Sequence, residues 1–320
     1  SSRTTAFRLG CLINEIKNSD FAIIVIVITI LLISYVVFST DSNQFKKANS
    51  SKLQVISSFY PLREFSQNVG KEKVDVRLLV PIGVEPHDWE PSIKDVQQMQ
   101  KSDLVIINGI GFESWVDKLN EMNYQGVIVN TSDGIVIKNL DEEFSKQKEH
   151  ANESGDPHIW LNPVYAKIQV QNIANAFSNS DPENRQYYQE NAKNYINKLD
   201  LLDSKIRTEL SDCNHDFIAF HHAFSYFADE YNLTQHTIIP SYASHAEPTA
   251  KTLENVINTA KLLNLKVIFT EETADPKTSQ VIANEIGGKI LVLSPLEIGN
   301  DGTYISRMTE NLNHLKEALC

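Results

Sequence analysis

The sequence predicts an α/β protein in which two parallel-sheet lobes are bridged by one long α-helix and preceded by an N-terminal transmembrane helix. Short apolar, β-rich segments alternate with helical patterns in both halves of the chain, which is typical of parallel sheets. Between the halves, apolar side chains recur every three or four residues after Asp181 and Pro182, which indicates one long helix. Near the start, residues 21–40 carry no charge.

The uncharged segment 21–40 is rich in Ile, Val and Leu, and as a helix it would span roughly 30 Å, enough to cross a bilayer. We therefore expect an uncleaved membrane anchor; a buried core helix and a cleaved signal peptide are the alternatives. Three basic residues precede the segment and two closely follow it, so the positive-inside rule favours a cytoplasmic segment 1–20. The rest of the chain would then lie on the extracytoplasmic side of the cell membrane.

A polar linker at 41–51 separates this anchor from the part expected to fold. Segments that predict strands lie at 53–57, 74–80, 103–108, 127–130, 217–220, 237–240, 267–270 and 290–293. The apolar stripe predicts a helix of about 28 residues, roughly 40 Å long, over 182–210, with Asp181 as its N-cap. The sequence therefore predicts an N-terminal lobe at 52–181 and a C-terminal lobe at 211–320.

The charge balance restricts the class of partner. The chain has 41 acidic and 29 basic residues, a net charge of -12 and a pI near 5.2. Nucleic acid and anionic lipid attract basic surfaces, so neither is expected as the main partner, whereas cations fit. The sequence has no GxGxxG, Walker A or GxSxG motif, so nucleotide binding and serine hydrolase chemistry have no support.

The three cysteines include no CxxC pair, so we do not expect a thiolate zinc site or a redox centre. Cys11 would lie on the reducing side of the anchor. Cys213 and Cys320 would both lie on the oxidising side, and we expect them to form a disulfide.

Histidines occur in three segments beside predicted strands or helix starts, where open α/β sheets bind their ligands. His87 lies in a loop stiffened by three prolines, and His158 lies between a polar loop and a helix start, where Asp156 could orient its imidazole. A buried strand ends at His221 and His222. Each segment alone is also compatible with a surface or helix-capping histidine, and spacing does not decide between His221 and His222.

A fourth segment follows the last predicted strand and carries Ser294 and Glu297. Glutamate is a good zinc ligand and serine a poor one. A glutamate in a loop is, however, usually only solvated. The segment alone leaves both readings open.

Together these segments resemble the zinc and manganese solute-binding family of ABC importers, over about residues 53–319. The similarity is carried by the Pro-His-Asp loop at 86–88, by Asp-Pro-His-Ile-Trp-Leu-Asn-Pro at 156–163, by Asp-Pro-Glu-Asn at 181–184 and by Phe-His-x-Ala-Phe-x-Tyr-Phe at 220–227. The order and register of these motifs make chance agreement improbable.

The resemblance implies that a metal ion binds in a cleft between the two lobes, with His87 and His158 from the first lobe and His221 from the second as ligands. In manganese-type members the third ligand position looks like a glutamate. This chain has His221 there, so the resemblance implies the zinc-type branch. Imidazole suits zinc, while manganese prefers carboxylate oxygen. The implied protein is a monomeric receptor, not an enzyme, that delivers Zn²⁺ to an ABC permease and its ATPase.

Two features depart from the family. Ser294 stands where an aspartate usually precedes Pro-Leu, so the fourth metal position is expected to be filled by water or Glu297. The acidic segment 131–155, often rich in histidine in zinc-type members, keeps only His150, which gives little support to metal capture by Glu149 and His150.

Three other functions are compatible with these residues. A receptor for Mn²⁺ or another transition metal and a surface adhesin could both have the same fold. Three histidines with an open fourth position are also the pattern of catalytic zinc, but a zinc hydrolase would need a general base, and the sequence has no HExxH helix.

Overall fold

The computed structural model describes residues 52–138, 155–241, 248–299 and 302–320, and Lys52–Cys320 forms one compact unit. The first half contains β1 (Leu53–Ser57), α1 (Tyr60–Gly70), β2 (Val74–Leu78), α2 (Ile93–Met99), β3 (Leu104–Ile107), α3 (Val116–Glu121) and β4 (Val127–Asn130). Two long helices follow, α4 (Pro163–Ser180) and α5 (Arg185–Leu210). The second half contains β5 (Asp216–Ala219), α6 (Ser225–Glu230), β6 (Thr234–Thr237), α7 (Ala250–Leu262), β7 (Val267–Thr270), α8 (Pro276–Ile286), β8 (Lys289–Val292) and α9 (Tyr304–Leu319).

The first four strands form one parallel sheet in the order β2-β1-β3-β4. All four residues of β3 are buried, as expected for an inner strand of a parallel sheet that is covered on both faces. Alternate residues point to opposite faces: Leu104 and Ile106 join one apolar cluster, and Val105 and Ile107 join another. The sheet therefore contributes to two cores, and its strand ends point to one edge.

The second half contains two parallel strand pairs, β5 with β6 and β7 with β8, and β5 lies beside β7. On these two strands, Phe217 and Phe269 join the apolar cluster that contains Leu104 and Ile106 of β3. Ile218 and Ile268 face a separate cluster. The α/β class and the parallel pairing predicted from the sequence are confirmed.

The strand predicted at 237–240 is wrong in its position, because the structure places β6 at Thr234–Thr237. The apolar pair Ile238 and Ile239 attracted the prediction, and both side chains are buried. The register opposite β5 is instead set by the polar residues before them, with Asp216 paired to Thr234. The other predicted strands begin and end within two residues of the observed ones.

The long helix is confirmed, with a different start. Residues Pro182–Asn184 form a 3₁₀ turn, and the α-helix begins at Arg185. The Asp181 carboxylate caps no backbone N–H; it accepts from the Asn184 amide and the Tyr188 hydroxyl, each at 2.7 Å. The predicted apolar stripe is buried throughout, at Tyr188, Ala192, Tyr195, Leu199, Leu202, Ile206 and Leu210.

Helix α5 packs against α1, α4 and α9, so it contacts helices from both halves of the chain. One apolar cluster accordingly runs from the first sheet through α5 to β5 and α9. The boundaries predicted at 181 and 211 stay a prediction.

The predicted pairing of Cys213 and Cys320 is confirmed: the two residues form a disulfide with their Cα atoms 4.7 Å apart. The bond joins the end of α5 to the end of α9. Among the residues that the structure describes, no helix is long and apolar enough to cross a membrane. The predicted anchor at 21–40 lies outside them.

Most of the acidic segment predicted as a loop, including Glu149 and His150, also lies outside the described residues. Its two flanks are joined, because the backbone N–H of Asp156 donates to the carbonyl of Lys138 at 3.1 Å. Lys138 is tied in turn to α6, where its ammonium donates to the carbonyl of Ser225 at 2.9 Å and pairs with Asp229 at 2.6 Å.

Candidate metal centre

Four side chains that can ligate a metal meet where strands of both halves end. They are His87, on the loop between β2 and α2; His158, between β4 and α4; His221, two residues after β5; and Glu297, after β8. Their exposed fractions are 5%, 0%, 0% and 3%, respectively. Burial of three imidazoles and a carboxylate at one point requires that they satisfy one another or an ion.

The four side chains can all reach one point, because one ligand atom from each lies within 4.8 Å of the others. Glu297 Oε1 lies 3.4 Å from Nε2 of His87, 3.2 Å from Nε2 of His158 and 3.5 Å from Nε2 of His221. The Nε2 atoms of His158 and His221 lie 3.3 Å apart. The structure thus brings together the three histidines predicted from the sequence, with Glu297 beside all of them.

These separations suit a four-coordinate ion. Zn–N distances of about 2.0–2.1 Å place neighbouring donors of a tetrahedral site about 3.3 Å apart. Four of the six donor separations lie between 3.2 and 3.5 Å, and all six are within 4.8 Å. The arrangement can therefore hold one small transition-metal ion with three nitrogen ligands and one oxygen ligand.

Carboxylates behind two of the histidines orient their rings. Asp156 Oδ1 accepts from Nδ1–H of His158 at 2.8 Å, and Glu271 Oε1 accepts from Nδ1–H of His221 at 2.6 Å. Each carboxylate also accepts from the backbone N–H of the same histidine. Because an ionised carboxylate only accepts, each ring in its neutral form carries its proton on Nδ1 and leaves the Nε2 lone pair for an ion in the cluster.

The cluster is strongly coupled electrostatically. Burial opposes protonation of His221, but the Glu271 and Glu297 carboxylates outweigh it and hold the pKa of His221 well above its usual value. Burial likewise opposes ionisation of Glu297, but the charge on His221 and hydrogen bonds from the imidazoles hold the pKa of Glu297 well below its usual value. A proton on His221 therefore competes with any metal ion for the cluster.

The Asp-Pro-His-Ile-Trp-Leu-Asn-Pro segment folds into a stiff support for His158. A 3₁₀ turn covers Ile159–Leu161, and the Asn162 side chain then caps α4 by accepting from Val164 N–H at 2.8 Å. Trp160 is fully buried, and its ring centroid lies 5.0 Å from that of His158. The position of His158 is fixed by these contacts rather than by a flexible loop.

Trp160 also joins the segments that carry His158 and Glu297. Its indole N–H donates to the carbonyl of Pro295 at 2.8 Å, and its own carbonyl accepts from the Tyr304 hydroxyl at 2.6 Å. Residues from the two halves of the chain are therefore hydrogen-bonded directly beside the cluster.

The other candidate residues lie outside the cluster. Ser294 is buried, where its hydroxyl accepts from Arg307 at 2.7 Å and from Leu296 N–H at 3.2 Å. His222 is half-buried, and its backbone N–H donates to the carbonyl of Ser241 at 3.0 Å. The structure thus separates His221 from His222, which spacing alone did not.

Sequence reasoning from local patterns did not assign a role to Glu271. A signal was present, because this carboxylate directly follows the buried strand β7, at the end where parallel sheets place ligand-binding residues. The pairing of the strands decides which polar residues at their ends approach His221. Local patterns do not show this pairing, so they do not single out Glu271.

A parallel α/β fold with a buried cluster of three histidines and one glutamate at its strand ends defines a protein that can hold a single transition-metal ion. Residues 55–318 match the family model of the zinc-uptake complex component A, periplasmic (ZnuA). The chain belongs to this family.

Individual relatives are similar over most of this chain. The high-affinity zinc uptake system protein ZnuA of Bacillus subtilis is 39% identical over 285 residues, 85% of this chain and 89% of the relative. The zinc-binding lipoprotein AdcA of Streptococcus pneumoniae is 34% identical over 290 residues, 86% of this chain but only 57% of the relative. The chain thus spans little more than half the length of AdcA.

Solved structures show the same architecture. The Zn(II)-bound structure of AdcA from Streptococcus pneumoniae has a TM-score of 0.73 and 31% identity, covering 84% of this chain and 58% of that chain. The laminin-binding protein Lmb of Streptococcus agalactiae, described as a bifunctional protein with adhesin and metal-transporting activity, has a TM-score of 0.76 and 27% identity, covering 84% of this chain and 99% of that chain.

Proposed function

We propose that this protein is an extracytoplasmic receptor that captures one Zn²⁺ ion with His87, His158, His221 and Glu297 and delivers it to an ABC-type importer. The observation that carries the proposal is the buried cluster, in which four ligand atoms lie within 4.8 Å of one another and four of their six separations are 3.2 to 3.5 Å, close to the value of about 3.3 Å for tetrahedral zinc. Membership of the zinc-uptake family supports transport of the ion into the cell.

Zinc is favoured over manganese by the ligand set. Three imidazole nitrogens and one carboxylate oxygen suit zinc, while manganese gains more from carboxylate and water ligands. The single carboxylate Glu297 takes the fourth position in this proposal, in place of the carboxylate expected at Ser294. A receptor for Mn²⁺ is the alternative that metal competition decides.

The remaining parts of the proposal concern topology and partners. Residues 21–40 anchor the chain in the cell membrane, with the N-terminal lobe 52–181, the helix 182–210 and the C-terminal lobe 211–320 on the outer side. A monomer docks on an ABC permease that is driven by its ATPase. The word lipoprotein in the name of the AdcA relative supports attachment to a membrane, although by a different kind of anchor.

An adhesin is the second candidate function, favoured by the likeness to the laminin-binding protein. A zinc hydrolase has less support, because Glu297 lies within 3.5 Å of all three Nε2 atoms and fills the position that catalytic zinc leaves for water. The family is also named for zinc uptake and not for a reaction.

Metal analysis of the full-length chain, purified without added metal, tests the proposal directly. We expect one zinc per chain. Calorimetric titration should show tighter binding of Zn²⁺ than of Mn²⁺, and deletion of the gene should impair growth when zinc is scarce. Tighter manganese binding, or zinc uptake unchanged by the deletion, would contradict it. Protease added to intact cells should digest the chain beyond residue 51 and so tests the topology.

A further inference from the structure

A buried carboxylate outside the metal cluster has an unusual set of contacts. Glu113 lies between β3 and α3 and is 7% exposed. Its Oε1 accepts from the Ser58 hydroxyl and from Asn108 N–H, both at 2.7 Å, and its Oε2 accepts from Gly109 N–H at 3.0 Å. One side chain thus joins the ends of the neighbouring strands β1 and β3.

The backbone that Glu113 holds has a rare conformation. Gly109, Ile110 and Gly111 all have positive φ, at 88°, 63° and 82°. For Ile110, a β-branched residue, this conformation costs about 1–3 kcal/mol and persists only where its surroundings enforce it. The positive φ favours glycine at position 109, where a Cβ atom would also lie 2.0 Å from Oδ1 of Asn130.

This turn contacts the supports of two histidines of the cluster. The ring of Phe112 lies edge-on to His87, with centroids 4.7 Å apart and an interplanar angle of 77°. The side-chain amide of Asn108 donates to the carbonyl of Pro157, the residue before His158, at 2.8 Å. Ile110 packs in the same apolar cluster as Ile159, the residue after His158.

We propose that Glu113 is a positioning residue for the metal site, which holds the turn at 108–112 so that Phe112 and Asn108 fix His87 and His158 in ligating geometry. The proposal rests on the proposed zinc-binding function. Glu113 acts through these two residues and is not itself a ligand.

The chemistry of the carboxylate explains why glutamate suits this position. Three donors converge on Glu113, and above its raised pKa of about 7 the ionised carboxylate only accepts. A glutamine of the same shape would turn an NH₂ group towards one of these donors. One backbone or hydroxyl donor would then lose its buried acceptor, and the turn would relax.

The test compares Glu113→Gln with Glu64→Gln in the full-length chain. Glu64 is a matched control, because it is a partly buried carboxylate of the same half of the chain that accepts from the hydroxyls of Tyr60 and Tyr195 at 3.2 and 3.4 Å. Replacement at either position removes a carboxylate from a hydrogen-bonded environment. Glu113 directly follows Phe112 and accepts from the backbone of Asn108, whereas the two hydroxyls that Glu64 accepts from lie on α1 and α5.

Three measurements decide the outcome. We expect Glu113→Gln to weaken zinc binding about 10-fold, the lower end of the range for groups that orient ligands. It should also change the visible absorption of bound Co²⁺, which reports ligand geometry, and shift the ring NMR signals of His87 and His158 in the metal-free protein. Glu64→Gln should leave all three unchanged.

Unchanged affinity, spectrum and ring signals in a folded Glu113→Gln variant would overturn the proposal, and so would equal changes in both variants. If Glu113→Gln does not fold, Ser58→Ala decides, because it removes one donor and should weaken zinc binding about 3-fold. Failure of the wild-type chain to bind zinc would refute the proposed function instead. The ring signals of the metal-free protein would still decide whether Glu113 positions the two histidines.

Discussion

The Nε2 atoms of His158 and His221 lie 3.3 Å apart, although the two residues are 63 positions apart and belong to different halves of the chain. His158 is held by the turn before α4, and His221 by the end of β5. Metal binding therefore depends on the relative placement of the two halves. The predictions below follow from this geometry.

Removal of any one histidine of the cluster should weaken zinc binding by more than about 100-fold, beyond the 10–100-fold typical of outer-shell groups. The variants are His87→Ala, His158→Ala and His221→Ala, with His222→Ala as the matched control. His222 lies outside the cluster, so its replacement should be nearly silent. Competition with a zinc chelator of known affinity measures all four, and undiminished binding by His221→Ala would contradict the assignment.

Glu297→Gln should weaken zinc binding, because a charged oxygen ligand becomes a neutral amide. Ser294→Ala should leave zinc affinity unchanged and instead lower thermal stability, because Arg307 loses a buried acceptor at 2.7 Å. Titration calorimetry and thermal unfolding separate the two effects. The opposite pattern, with affinity dependent on Ser294, would show that the fourth position is occupied differently.

Zinc affinity should fall as the pH falls, beginning above pH 6.5. The Glu271 and Glu297 carboxylates raise the pKa of His221 despite its burial, so protons compete with zinc at a higher pH than for an ordinary histidine. Glu297 has a lowered pKa and should stay ionised over this range. Titrations between pH 5.5 and 8.5 measure the onset, and Glu271→Gln should move it to lower pH.

The disulfide should contribute to stability and not to the site. Cys213 and Cys320 are 107 positions apart, and closing such a loop is worth about 4.8 kcal/mol in the chain-entropy model. The double variant Cys213→Ser/Cys320→Ser should lower the free energy of unfolding by about this amount and keep its zinc affinity. Denaturant unfolding of the metal-free chain gives the first quantity. A large loss of zinc affinity would show that the bond also shapes the cluster.

Glu113 should make the stability of the metal-free protein depend on pH. Burial raises the pKa of Glu113 to about 7, from 4.5. Because the folded state holds the proton more tightly, this contribution is fully present below pH 4.5 and is lost as the pH rises through 7. The loss amounts to about 3 kcal/mol. The difference in unfolding free energy between wild type and Glu113→Gln should change by this amount between pH 4.5 and 8; a constant difference would contradict the raised pKa.

The residues of the cluster that lie in recognisable motifs, and the one partner next to them in the sequence, could be predicted, whereas the distant partners could not. His87, His158 and His221 follow from the resemblance, and Asp156 from its position two residues before His158. Glu271 contacts His221, 50 positions away, and Glu113 contacts Ser58, 55 positions away, so these contacts depend on how the strands pair. The same cause explains why the strand predicted at 237–240 was misplaced. The apolar pair Ile238 and Ile239 does not reveal the register of β6 opposite β5.

The hydrogen bond between Asp156 N–H and the Lys138 carbonyl bears on how much the length of the segment between these residues can change. The two ends of the segment that joins Lys138 to Asp156 are therefore close together. The span to be bridged is therefore independent of the number of residues in between. Doubling that number costs only about 0.6 kcal/mol in closure entropy. Insertions and deletions at 139–154 should therefore cost little stability and leave His87, His158 and His221 in place.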